Sequence, residues 1–408
     1  MKRLTAAAVA VMLCAALTAC SFGDSSNLWV PNVFTDPVSG AEESVPDDSA
    51  GDPVSPEDYD DVPLPYAVEY FISGESKNVQ TACKALVKGI RSRKAKISLE
   101  GLGIDRQKLG DLVSMVISSA PELPMIMTDY KYIADSDGDL KSCTISYMYG
   151  DSEQKEIDTE LSTAADVIVG ATDGMDDFSK LKSFHDAIVK KCSYIENAES
   201  PYSAYGCLCE GEAVCEGYSK AFMLLCERAG IKCIPVIGYT TDSGKEPHMW
   251  NKVLSEGKWY NFDITWDDPV SDIKEDFIKY DYFGLTDAEF DLDHSAEESS
   301  IMKYPEASSD EMDYYKRTGA YISDASKADG VILTELNRRM FAGERFIQIK
   351  CSDKATFDAV MKREFESSGG NAHIFSLFNS SSFTGSFVPN SYSVMKNEKL
   401  CTVLVLFE

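Results

Sequence analysis

Histidine is scarce here: four residues in 408, against 67 Asp+Glu and 39 Lys+Arg. So few imidazoles exclude a histidine-rich metal tract and leave a short list of candidates for proton transfer. Positive charge is short as well. A formal net charge of −28 excludes the basic stripe that a phosphate backbone requires, so nucleic acid is not an expected partner. The same balance disfavours loose adsorption to anionic lipid. After the N-terminal run no segment approaches the ~18 consecutive apolar residues of a membrane-spanning helix. Twelve cysteines fall far below the density of small disulfide-stapled domains. What is present, 44% apolar and 11% aromatic residues, supports a sizeable core over two or three domains.

Lys2 and Arg3 precede an uncharged run from Leu4 to Cys20, the basic-then-apolar order of a secretory signal. The run ends Leu17-Thr18-Ala19-Cys20, which resembles the lipobox of bacterial lipoproteins. That resemblance implies removal of residues 1–19, lipidation of Cys20, and attachment to the outer face of the cell membrane through more than one acyl chain. Residues 20–62 then read as a disordered acidic tether. Ser21 to Val62 carries eleven acidic residues, no Lys or Arg, and five prolines, a composition that cannot bury enough apolar surface to offset its ordering entropy.

Three folded segments are expected, giving an α+β protein. Residues 63–158 place Val79, Cys83, Leu86, Val87 and Ile90 on one face of a helix from Asn78 to Arg93, followed by a second helix from Leu109 to Ser119. Two alternating runs, Ile126–Ala134 and Ser142–Tyr149, flank Asp135-Ser136-Asp137-Gly138-Asp139. This cluster fails the calcium-loop pattern, with Leu140 where Gly is needed and Ser146 where Glu is needed, and reads as a hairpin turn. Residues 159–300 hold the chemistry. Residues 311–408 read as a small α+β unit: a strand Tyr314–Ile322, a helix Ala328–Phe341, a strand Arg345–Cys351, a helix Lys354–Glu366 and a closing strand Leu400–Phe407.

The informative run is Ala213-Val214-Cys215-Glu216-Gly217-Tyr218. From Cys215 onward Tyr218, Ala221, Phe222, Leu225 and Ala229 recur at helical spacing, and Gly230 supplies a stop. Cys215 therefore belongs to the first turn of a helix, where unpaired N–H groups and the helix dipole favour a thiolate. Downstream come His248-Met249-Trp250-Asn251 and, after a turn at Glu256-Gly257, Trp259-Tyr260-Asn261-Phe262-Asp263. If these runs pair as a hairpin, His248 faces Thr265 and Asp263 lies diagonally on the same face. The carboxylate can then fix the imidazole tautomer, leaving the other ring nitrogen for the thiol proton.

These motifs, continuing through Ile264-Thr265-Trp266-Asp267-Asp268-Pro269, resemble the transglutaminase-like (papain-like) core family of bacterial proteins. The likeness extends to the upstream helix Phe178–Cys192 and to the tail Phe290-Asp291-Leu292-Asp293-His294. It implies a core in which a helix carrying cysteine packs on an antiparallel sheet carrying histidine and aspartate. It further implies Cys215 as nucleophile, His248 as general base and acid, and Asp263 as the orienting group, with no metal or cofactor required. The expected partner is a peptide, protein or cell-wall peptide. Water would resolve the acyl-enzyme as a peptidase or amidase, an amine as a cross-linking acyltransferase. One family feature is missing: no Gln occurs between residues 159 and 300 to serve as oxyanion donor. The Cys215 N–H supplies one donor, and Tyr205 or Tyr202 is the candidate for the other. That gap favours the alternative, a catalytically inactive surface module that keeps the core as a scaffold.

The other residues take plainer readings. His185, His294 and His373 are expected to pack or cap. Trp250, Trp259 and Trp266 are expected to pack the sheet, with Trp250 and Tyr218 walling the cleft. Cys207 and Cys209 have no zinc-type partners; the competing idea is a disulfide from one of them to Cys215 that switches it off. Leaving out Cys14, Cys20 and Cys215, nine cysteines remain, an odd number that cannot all pair internally.

Overall fold

The computed structural model describes residues 59–241, 244–268, 277–366, 372–382, 385 and 387–408. The signal segment, Cys20 and nearly all of the acidic tether lie outside them. The described chain is α+β. Among its helices none is long and apolar enough to cross a membrane.

The N-terminal region runs α1 (Tyr66–Ile72), α2 (Lys77–Arg91), β1 (Lys96–Ser98), α3 (Arg106–Ser119), β2 (Ile126–Ala134) and β3 (Leu140–Tyr147), with the strands ordered β1-β3-β2. Ser76 caps α2 by accepting from the Val79 N–H, and Val79, Cys83, Leu86 and Ile90 form its buried stripe. The Asp135–Asp139 cluster is the β2–β3 turn. Asp135 Oδ1 accepts from the N–H groups of Asp137 and Asp139 at 3.0 Å each, and Gly138 takes a φ of +89°.

The domain boundary expected at 158/159 is corrected. Helix α4 (Asp151–Gly170) runs through it, because Gln154, Ile157, Leu161 and Ala165 form one continuous buried stripe. The apolar core is likewise continuous, from Ala67 through Leu112 and Phe184 to Tyr315. The N-terminal region is thus a layer of the central unit.

That unit continues with α5 (Asp177–Lys191), β4 (Ser193–Tyr194), a π-helical segment Gly206–Glu210, β5 (Glu212–Ala213), α6 (Cys215–Arg228), β6 (Lys232–Thr240), β7 (Glu246–Ser255), β8 (Lys258–Phe262), β9 (Phe283–Leu285), α7 (Asp287–Phe290) and β10 (His294–Ala296). Strands β10-β6-β7-β8-β9 form one antiparallel sheet. Phe222 of α6 packs on Phe262 at 5.5 Å between ring centroids. Asn251 Nδ2 donates to Ser219 O at 3.2 Å and Ser219 Oγ to Trp250 O at 3.3 Å, tying α6 to β7.

The C-terminal region runs α8 (Tyr314–Thr318), β11 (Tyr321–Ile322), α9 (Ala328–Phe341), β12 (Phe346–Cys351), α10 (Lys354–Val360), α11 (His373–Ser380), β13 (Tyr392–Asn397) and β14 (Thr402–Phe407), with the sheet ordered β11-β12-β14-β13. The strand expected at 314–322 is a correction. Asp313 caps a short helix and Gly319, at φ +77°, ends it. Tyr314 stacks on Tyr280 at 3.8 Å, so Tyr314 and Tyr315 are drawn into the central core and only Tyr321–Ile322 pair as strand. This region has its own core, from Ile322 to Phe407. It meets the central unit along a seam that includes Leu400 with Trp250, Tyr282 and Phe290.

Candidate active site

Cys215 is the first residue of α6, entered from extended backbone at Val214. Gly217 is required there: a Cβ would come within 2.6 Å of Pro201 O and 2.7 Å of Ala213 Cβ, so the 201–203 loop lies directly against the helix start. Glu216 is buried and pairs with Lys220 Nζ at 2.6 Å, while Lys220 also donates to Tyr202 O at 3.1 Å. Burial raises the Glu216 carboxyl, with Lys220 opposing. Among the described cysteines only Cys215 and Cys209 are not buried.

The β7–β8 turn at Glu256 (φ +50°) and Gly257 (φ +78°) sets the register, pairing Ser255 with Lys258 and Asn251 with Phe262. Continued outward, that register brings Thr265 opposite His248, but β8 stops at Phe262. Asp263 ends it. Its Oδ1 accepts from the N–H groups of Thr265 at 3.0 Å and Trp266 at 3.1 Å, closing a turn. Its Oδ2 is left for two imidazoles: His248 Nε2 at 2.6 Å and His294 Nε2 at 3.1 Å.

His248 and Asp263 are both buried. Burial alone would lower the imidazole, but Asp263, and after it the neighbouring Cys215 sulfur, outweigh that and raise it to about 10. Burial pushes the Asp263 carboxyl up, and the His248 and His294 contacts hold it well below the usual range. With Nε2 taken by Asp263, His248 has Nδ1 for Cys215. The arrangement is chemically a cysteine sulfur beside an imidazole that a carboxylate holds in place, so that the thiol proton passes to His248 as the sulfur becomes nucleophilic.

The structure separates the remaining candidates. Tyr205, expected as an oxyanion donor, turns its hydroxyl to Glu160 Oε2 at 2.8 Å. Tyr202 is the one near the thiol: burial, then the charges of Glu216 and Cys215, push its hydroxyl up. Tyr218 and Trp250, expected to wall the cleft, are 0% and 3% exposed. Tyr218 donates to Asp268 Oδ2 at 2.5 Å. Trp250 stacks on His248 with centroids 6.1 Å apart and supports the ring from behind. Cys207 is a buried free thiol whose neighbour is Cys192.

His294 is the residue that sequence reasoning passed over as packing. Its strand β10 pairs with β6, His294 opposite Thr240 and Ala296 opposite Gly238, while Gly238 also faces His248 across β7. A Cβ on Gly238 would lie 2.2 Å from Ser295 O, so only glycine admits β10 this closely. The available signal was the Asp293-His294 pair in the segment resembling the family's closing tail. His185 has no such role: Nδ1 faces Asp186 Oδ1 at 3.3 Å, Nε2 faces Asp267 Oδ2 at 3.2 Å, and the ring stacks on Tyr280. Among the described residues two groups have ligand atoms within 4.8 Å of one another, the spacing a cation could use: His248, Asp263 and His294, and Asp329, Glu364 and His373 of the C-terminal region.

Residues 162–264 match the transglutaminase-like superfamily. Two curated proteins, the Kyphoscoliosis peptidases of Mus musculus and of Homo sapiens, are each 33% identical over 84 residues, which is 18% of this chain and 13% of theirs. The chain thus spans only a small part of those relatives. Among solved structures, the periplasmic domain of TgpA from Pseudomonas aeruginosa bound to ethylmercury aligns at 15% identity and a TM-score of 0.22, covering 34% of this chain and 63% of that one. A TGase aligns at 13% identity and a TM-score of 0.25, covering 37% and 46%.

Proposed function

From the premise that residues 162–264 form a transglutaminase-like core, we propose that this protein is a thiol enzyme acting on amide or peptide bonds through Cys215, His248 and Asp263. The observation that carries the reading is the buried 2.6 Å contact between His248 and Asp263 with Cys215 as the other partner of the imidazole. The Cys215 sulfur attacks the acyl carbon. His248 gives its proton to the departing amine, the C–N bond breaks, and a thioester remains. His248 then takes a proton from the incoming nucleophile as the thioester opens. Water completes hydrolysis and an amine completes acyl transfer; the three residues serve either. The Cys215 N–H at the helix start is one oxyanion donor, and the Tyr202 hydroxyl is our candidate for the second.

Iodoacetamide labelling of the mature protein tests this. Cys215 is expected to react faster than a free thiol, and His248→Ala is expected to slow it by about 10²-fold or more. A Cys215 rate no faster than a free thiol and indifferent to His248 would leave the scaffold alternative standing.

We further propose that Cys20 is lipidated and holds the enzyme at the outer membrane face, where peptides and cell-wall peptide are the accessible substrates. Lys2, Arg3 and the apolar run ending Leu17-Thr18-Ala19-Cys20 support this. Metabolic labelling with a tagged fatty acid should mark the wild type, and Cys20→Ser should lose the label and appear in the medium. Label retained on Cys20→Ser would refute it.

A further inference from the structure

We propose that the C-terminal region completes the site through a hydrogen-bonded chain, Asn397–Tyr282–Asp293–His294, that ends on Asp263 and makes His294 the positioning residue for that carboxylate. The inference rests on reading Cys215, His248 and Asp263 as the working centre.

Each link has a defined donor. Asn397 Oδ1 accepts from the N–H groups of Lys399 and Leu400 at 3.1 Å each, which fixes the amide and directs its Nδ2 to Tyr282 Oη at 3.3 Å. Tyr282 already accepts there, and its O–H donates to Asp293 Oδ2 at 2.8 Å. Asp293 Oδ1 lies 2.7 Å from His294 Nδ1, and His294 Nε2 lies 3.1 Å from Asp263 Oδ2. A carboxylate at each nitrogen offers an acceptor to either ring N–H, and the Nε2–H is the one directed at Asp263. Asn397, Tyr282 and the His294 Nε2–H donate in the direction of Asp263, while the His294 Nδ1–H donates back to Asp293 and fixes the ring.

The surroundings make this arrangement consequential. The His294 side chain is fully buried, with Phe290 at 4.3 Å, Trp266 at 4.5 Å, Trp250 at 5.2 Å and Tyr282 at 5.3 Å between ring centroids. In such an apolar cage each hydrogen bond is stronger than at the surface. Asp263 consequently has three protein donors besides His248: Thr265, Trp266 and His294. It cannot rotate away from His248, so Nε2 keeps its proton and Nδ1 remains directed to sulfur. Leu400, in the same turn as Asn397, enters the cluster of Trp250, Tyr282 and Phe290 behind His248. The C-terminal region thereby packs against the same aromatic cluster that holds His294.

The test combines ring-nitrogen NMR on ¹⁵N-histidine-labelled mature protein with the iodoacetamide rate of Cys215. The His294 Nε2 should show a proton protected from exchange by its bond to Asp263. His294→Leu is expected to slow alkylation by about 10²-fold, the range in which second-layer partners act. His294→Gln, which keeps an N–H donor toward Asp263, should recover about tenfold of that, and Tyr282→Phe, which removes one hydroxyl with the ring retained, should cost a few-fold. Circular dichroism confirms folding of each variant. An unprotonated Nε2 on His294, or folded Leu and Gln variants that alkylate at the wild-type rate, overturns the proposal. If the wild-type rate ignores His248, the enzyme reading falls, and the nitrogen readout still decides the chain.

Discussion

His185 and His248 are both buried in the central unit and both hydrogen-bonded to aspartate. They differ in what the second ring nitrogen meets. In His185 both nitrogens face carboxylates, Asp186 and Asp267, and the ring is a strut between α5 and the segment after β8. In His248 one nitrogen faces Asp263 and the other is left for Cys215. Burial and a carboxylate therefore do not distinguish a reactive imidazole from a structural one. The open valence does, and His294, closed on both sides, falls with His185.

The contrast can be broken at the carboxylates first. We predict that Asp263→Asn lowers the Cys215 alkylation rate about 10²–10³-fold, because the amide can donate to Nε2 and stabilise the wrong tautomer. Asp267→Asn should leave the rate within about threefold, since its partner His185 does not touch the thiol. Equal losses in the two variants would erase the distinction. A second prediction concerns stability. His185→Leu leaves Asp267 buried without its imidazole, and removal of one partner of a buried pair costs about 3–5 kcal/mol. Urea unfolding should register that loss, with alkylation per folded molecule nearly unchanged.

The smallest effect is on pH dependence. The folded imidazole of His248 is raised to about 10, above its unfolded value near ~6.5. Its stabilising contribution is therefore fully present below ~6.5 and lost as pH rises through about 10. Asp263 is held below its ordinary range, so its contribution is present above ~3.9 and lost in acid. Thermal unfolding from pH 7 to 10.5 should show a declining midpoint that His248→Gln flattens. His185 is raised as well, so His185→Gln should flatten part of the same limb without changing alkylation. An alkaline limb identical in all three proteins contradicts this assignment.

The flanking regions offer a second contrast. The N-terminal region shares one apolar core with the central unit, whereas the C-terminal region has a separate core and reaches the site through Asn397 and Leu400. From sequence both looked like independent domains, because local periodicity reports which face of an element is buried and not what buries it. The helix Tyr314–Thr318 was missed for a related reason: a short tyrosine-rich run looks like a strand until a cap and a left-handed glycine end the turn.

The sequence by itself determined the parts whose geometry is local. A helix start places Cys215, and a two-residue turn at Glu256-Gly257 fixes the β7–β8 register that brings Asp263 toward His248. Register is set by the turn, so those contacts follow from spacing alone. Only the tertiary structure decided that Tyr205 faces Glu160, that Trp250 supports His248 from behind, and that β10 crosses to β6 and sets His294 against Asp263. Each of those depends on elements far apart in the chain, where many pairings satisfy the same local pattern and close packing selects one.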